Sequence, residues 1–286
     1  MQTHCQYSTF RTEEAWTILS DIEQGIKQKV ESIGIPLKDW DIEIYRGVLT
    51  GYNDAFIISS EKREEILDNC RSQDERQRTE EIIRPILRGR DIRRYSYQWA
   101  NLWLINTHNG IKGELDRVHI EDYPAIRQHI EQYWDRVEKR ADQGDTPYNL
   151  RNCAYLDEFS KPKIIWKRVG SIIRFSYDTT GMLGLDSTCF ATGEDIQYIC
   201  CVLNSPMGHY LLNNAPRTGT GDLLISVQAV EPLRLPIISD HQRKLFQKLL
   251  DKLILGEQVD LEINSLIFDI YGLSIEEREY ITGNYS

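Results

Sequence analysis

No apolar run in this chain approaches the ~18 residues that a bilayer-spanning helix requires, so the sequence offers no membrane span. The start, Met1-Gln2-Thr3-His4-Cys5-Gln6, has no basic stretch leading into an apolar one and does not read as a secretory signal. The six cysteines are Cys5, Cys70, Cys153, Cys189, Cys200 and Cys201, and none stands in a C-x-x-C pair. No two histidines fall at zinc-ligand spacing. Such scatter predicts reduced thiols, several of them in the core, in a cytoplasmic protein. Internal repeats and low-complexity segments are absent as well.

The signatures of catalysis are also missing. Two prolines never stand together, which excludes the Asn/Asp-Pro-Pro-Tyr/Phe segment that holds an extruded adenine in methylating enzymes. Gly219-Thr220-Gly221 leads into an apolar strand rather than a helix and has no P-loop lysine, so it reads as a tight turn. Asp157-Glu158-Phe159-Ser160-Lys161 comes nearest to a metal-dependent nuclease core, with its spacing wrong by one. No G-x-S-x-G elbow marks a serine nucleophile. His108, His119, His129, His209 and His241 are dispersed and read as surface or core residues. The expectation is a chain that binds rather than catalyses, with no metal and no cofactor of its own.

What is present is ordinary globular composition, 41% hydrophobic and 27% charged, with a net charge of −10. The charge is unevenly spread. Residues 84–94 hold Arg84, Arg88, Arg90, Arg93 and Arg94 against Asp91 alone. Residues 161–175 hold Lys161, Lys163, Lys167, Arg168 and Arg174 with no acid. Acids collect in residues 114–145 and in both terminal segments. Two basic runs in an acidic chain fit a polyanion site on one face, because phosphate binding depends on local cationic surface rather than on the sum. Two blander readings stand beside it: solvated surface charge, or an acidic assembly subunit whose terminal helices pack on partners without touching DNA.

Periodicity supplies the elements. Trp16, Leu19, Ile22, Ile26, Val30 and Ile33 make residues 12–34 an amphipathic helix, with Thr12 as N-cap and Gly34 and Pro36 as its end. Strands are expected at residues 42–45, 55–58 and 102–105. Helices are expected at 61–70, at 80–87 with Pro85 interrupting, and at 123–140. Residues 152–235 read as short strands and glycine-rich turns with one helix near 196–203. From Asp240 the chain is helical, with the rows Leu245, Leu249, Leu253 and Phe246, Leu250, Ile254, and after Gly256 a further helix through Ile263, Ile267 and Ile270. The fold class is α+β (mixed α/β): a connector at 1–41, a globular body with short twisted sheets at 42–238 and a helical segment at 239–286. The apolar rows suggest packing on a catalytic domain or a second copy, as a homodimer.

Four segments carry a resemblance. They are Gly47-Val48-Leu49-Thr50-Gly51-Tyr52-Asn53-Asp54-Ala55-Phe56-Ile57-Ile58, then Ile83-Arg84-Pro85-Ile86-Leu87-Arg88-Gly89-Arg90-Asp91-Ile92-Arg93-Arg94-Tyr95, then Lys161-Pro162-Lys163-Ile164-Ile165-Trp166, then Leu203-Asn204-Ser205-Pro206 with Leu235-Pro236-Ile237 downstream. In this order the set resembles the TaqI-like carboxy-terminal specificity domain of type IIG restriction–modification enzymes and adenine-specific DNA methyltransferases. The stretch from Asp269 to Glu277 is similar to the family's ending. The resemblance implies a reader of double-stranded DNA serving a methyltransferase domain or subunit, which would hold S-adenosylmethionine and lie outside this chain. Within the chain, Gly47, Gly51 and Asn53 allow a turn to approach DNA closely. Arg88, Arg90, Arg93 and Arg94, with Lys161, Lys163, Lys167 and Arg168, are candidates for phosphate contacts. Asn53 and the loop residue Arg217 are candidates for reading base edges, and Thr50 is a further candidate for DNA contact.

Overall fold

The computed structural model describes residues 19–285. Its central feature is a four-stranded antiparallel sheet, in the order Ile42–Arg46, Thr188–Gly193, Lys163–Lys167 and Phe175–Asp178. Successive side chains on a strand point to opposite faces. Ile164 and Trp166 therefore enter one core, and Ile165 enters another. On the neighbouring strand Cys189 and Ala191 join the first core, and Phe190 joins the second. With both faces covered, Ile164-Ile165-Trp166 is a continuous apolar run rather than an alternation.

The first core lies between this sheet and helices Asp21–Ile33, Ile196–Leu203, Pro206–Leu212, Asp240–Ile254, Asp260–Ile270 and Ile275–Tyr285. The amino-terminal and carboxy-terminal helices thus share one core with the middle of the chain. Lys29 and Glu277 clasp them at 2.6 Å, and Gly34–Pro36 pairs antiparallel with Arg234–Pro236. The second core lies under a smaller sheet, ordered Ile57–Ser59, Leu102–Ile105, Ile83–Leu87, Leu183–Gly184, with the last pair parallel. The mixed α+β class expected from the sequence is the class observed.

Several local expectations need correction. The first described helix is capped by Ser20, whose hydroxyl accepts from the Glu23 amide while Glu23 accepts from the Ser20 amide. Thr12, Trp16 and Cys5 lie outside the described residues. Residues 55–58 form one helical turn, Asn53–Phe56, followed by the strand Ile57–Ser59. Residues 80–87 end one helix at Ile82 and then run as the strand Ile83–Leu87. Pro85 stands opposite Trp103, where that strand changes partner from Leu102–Ile105 to Leu183–Gly184. The expected long helix at 123–140 is two, Pro124–Glu131 and Trp134–Val137. The leucine row on Asp240–Ile254 is covered by the chain itself, with Leu249 buried and Leu245 and Leu253 packed against the first core. That row is core, and so is the Ile26–Val30 face of the first helix.

Candidate nucleic-acid interface

The glycine-rich turn after Ile42–Arg46 is built by close backbone approach. A Cβ on Gly47 would lie 2.0 Å from the Leu185 carbonyl oxygen. The Gly47 amide donates to the Thr188 carbonyl at 3.0 Å and the Val48 amide to that of Gly184 at 2.7 Å. Gly51 takes φ +69°, which a glycine adopts without strain. Thr50 is buried, and its hydroxyl donates to Asn53 Oδ1 at 2.6 Å, where the short helix begins with Asn53 exposed. Behind the turn, the buried Arg140 guanidinium donates to the carbonyls of Thr50 (2.7 Å), Pro147 (3.0 Å), Asp142 and Asn149. Burial lowers the Arg140 pKa to about 10.

The loop at residues 184–188 joins this turn to the first basic run. The Leu185 amide donates to the Leu87 carbonyl, and the Ser187 hydroxyl accepts from the Gly89 amide at 3.0 Å. The Ser187 carbonyl accepts from the Arg168 amide at 2.9 Å. At Gly89 a Cβ would meet Lys167 Cγ at 2.7 Å, so the glycine lets the lysine stem cross the turn Gly89–Asp91.

Here the two basic runs meet. Arg90 and Arg93 from the first, and Lys167 and Arg174 from the second, line one shallow pocket together with Ser171 and Ile172. Among the described residues, no carboxylate lines it. Arg93 donates to the carbonyls of Arg90 (2.7 Å) and Ile92 (2.9 Å) and to Gln98 Oε1 (2.9 Å), all uncharged acceptors. Among the described residues, none of the four cations has an ion-pair partner.

The other predicted cations do not join them. Arg88 is held bidentately by Asp91 at 2.8 and 3.0 Å, so its fork is already occupied. Arg94 reaches Asp260 at 2.5 Å and the Asn204 carbonyl at 3.1 Å, on the side of the helical core. Lys163 is 0% exposed, a correction to its place among the DNA contacts. It donates to Asp178 at 2.5 Å and to the Phe159 carbonyl at 2.6 Å. Burial pushes its pKa down. Burial also pushes Asp178 up, but the Lys163 ammonium and hydrogen bonds from Thr180 outweigh it and hold that carboxyl below its usual range. Lys161 pairs with Glu158 at 2.6 Å, and that hydrogen bond raises its pKa. It lies beyond the Lys163 end of the strand, and Lys163 and Lys167 are themselves roughly 13 Å apart along extended chain. Arg84 donates to the Gly181 carbonyl rather than to Glu80 or Glu81. Arg168 is half-buried.

Arg217 is exposed in the Gly219–Gly221 turn region and donates to the Gly221 carbonyl. Its loop is fastened beside the pocket by the pairing of Leu223 with Gly170 and Leu224 with Val169. The hollow under Thr50, Gly51 and Asn53 also contains Asp142 and Asp186, so the positive strip stops before the glycine-rich turn. Asp142 is paired with Arg151 at 2.9 Å. The motif Asn204-Ser205 is architectural: Asn204 bonds both backbone groups of Phe175, and Ser205 caps Pro206–Leu212. No three His, Cys, Asp or Glu side chains among the described residues are grouped to hold a metal ion. The five described cysteines are unpaired, three of them buried. Sequence reasoning missed Arg140, which carries no signal in a mixed-charge stretch, and left Arg174 and Ile172 off the list of candidates. The signal for both was present in the acid-free run at residues 161–175: Arg174 is one of its five cations, and Ile172 belongs to the apolar pair beside it.

Residues 84–233 match the family of TaqI-like C-terminal specificity domains, a segment that includes every residue of the basic pocket. The chain belongs to that family. Over 280 residues, 95% of its length, this specificity domain is 21% identical to type II methyltransferase M.PaeR7I of Pseudomonas aeruginosa, of which it spans 45%. Its fold is shared with the type IIL restriction-modification enzyme MmeI, solved in complex with DNA, at a TM-score of 0.61 and 11% identity, covering 88% of this chain and 37% of that one. The type IIG restriction endonuclease BpuSI shares it at a TM-score of 0.50 and 15% identity, covering 81% and 28%. The specificity domain thus spans less than half of each of these proteins. No helix among the described residues is long and apolar enough to cross a membrane.

Proposed function

We infer that this chain reads a short sequence in duplex DNA on behalf of an adenine-specific methyltransferase of a restriction–modification system, in the cytoplasm. The observation that carries the reading is the convergence of Arg90, Arg93, Lys167 and Arg174, from two distant runs, on one pocket that no carboxylate of the described residues lines, in a chain of net charge −10. Unpaired cations gathered on one surface release counterions when they meet phosphates. Family membership and the names of the relatives support the same reading. Methyl transfer from S-adenosylmethionine, and strand cleavage where the system has it, are assigned to parts of the system other than this chain.

The test is a titration of labelled duplex DNA over a salt series. Four phosphate contacts predict a slope of log affinity on log salt of about −3 to −4. Arg93→Ala and Lys167→Ala should each make it shallower by about one. Lys161→Ala, whose cation is paired elsewhere, should leave it unchanged. A salt-independent signal, or pocket variants that behave like wild type, would remove DNA from this surface.

A further inference from the structure

The loop between strands Val169–Gly170 and Phe175–Asp178 carries two successive isoleucines. Ile173 packs against the first core and anchors the loop. Ile172 beside it is 59% exposed and lines the pocket of Arg90, Arg93, Lys167 and Arg174. A lone exposed apolar residue is ordinary on a protein surface. This one stands apart by its company, since it shares a pocket with four cations that have no ion-pair partner among the described residues. Phosphate oxygens are satisfied by cations and N–H donors and gain nothing from a branched alkyl group. The apolar feature that B-form DNA presents in its major groove, within reach of a side chain flanked by phosphate contacts, is the thymine 5-methyl group.

We propose that Ile172 reads a thymine through an apolar contact with its 5-methyl group, while the surrounding cations hold the flanking phosphates. This rests on the DNA-reading function inferred above and adds a residue that distinguishes bases. Arginine and lysine in the pocket set affinity for any sequence, and Ile172 sets a preference within it. Ser171, with only a hydroxyl, cannot replace it.

The experiment uses the whole chain and duplex pools with a randomised core, the bound fraction being recovered and sequenced. The wild type is expected to enrich thymine at one position. Replacing that thymine by uracil, which lacks only the methyl, should weaken binding about fourfold, the value of one buried methyl-sized group. Ile172→Ala should lose both the enrichment and the thymine–uracil difference while keeping the salt slope, and Ile172→Val should keep all three. If Ile172→Ala retains the thymine preference, or if wild type binds but treats thymine and uracil alike, the contact does not exist. A rise in 2-aminopurine fluorescence on binding that depends on Ile172 would indicate a side chain wedged between bases and would also overturn it. Wild type that binds no duplex at low salt would instead bring down the DNA-reading function on which the proposal stands.

Discussion

Two lysines on one strand, Lys163 and Lys167, look alike in sequence and have opposite fates. Lys163 is buried against Asp178, and Lys167 lies exposed across Gly89. Lys163→Ala would strand a buried carboxylate and should lower unfolding stability by about 3–5 kcal/mol. In urea denaturation this shows as a lower midpoint, with the salt slope of DNA binding unchanged wherever the chain is folded. A second expectation concerns pH. Burial holds His129 below its ordinary 6.5, its Nε2–H donates to the Ala55 carbonyl, and its buried Nδ1 has no hydrogen-bond partner among the described residues. Between the folded and unfolded pKa values the unfolded chain binds the extra proton, so stability is present above 6.5 and is lost as the pH falls below it. The urea midpoint should drop between about pH 7.5 and 5.5, and less steeply in His129→Gln. Residue by residue, the sequence showed which side chains are cationic but not which are already paired. Arg88 with Asp91 and Lys161 with Glu158 stand three residues apart and were readable at that spacing. Arg94 with Asp260 joins distant elements, and only the fold brings them together.

Among elements, the helices at residues 196–203 and from 240 onward and the strand at 102–105 follow directly from periodicity. Residues 55–58 and 80–87 do not, because short apolar stretches satisfy helix and strand patterns equally. Their partners decide, as Pro85 opposite Trp103 shows. The glycines are the clearest case of local chemistry serving tertiary contact. Gly47→Ala would drive a methyl into the Leu185 carbonyl. It should cost about 1–3 kcal/mol of stability, as overpacking does, and speed amide exchange in residues 184–188. Unaltered exchange there would mean that the loop is not braced by this approach.

For the whole molecule, the change of pattern along the chain suggests a connector, a body and a helical segment, whereas how these stretches pack together is not legible in it. Helix Asp21–Ile33 and the carboxy-terminal helices complete a single core with Trp166 and Phe175. Removing residues 257–286 takes Ile263, Ile267 and Ile281 out of that core. The shortened chain should lose its cooperative transition rather than merely its last helices. Near-ultraviolet dichroism compared with far-ultraviolet dichroism through a thermal melt measures this, and a truncated chain melting as sharply as the intact one would contradict it.

The rim that carries the pocket is stitched by main-chain atoms: Gly47 to Thr188, Val48 to Gly184, Leu185 to Leu87, Arg168 to Ser187. None of these bonds depends on what the exposed side chains happen to be. Evolution can therefore rewrite the letters displayed there, one substitution at a time, while the page they are written on stays flat.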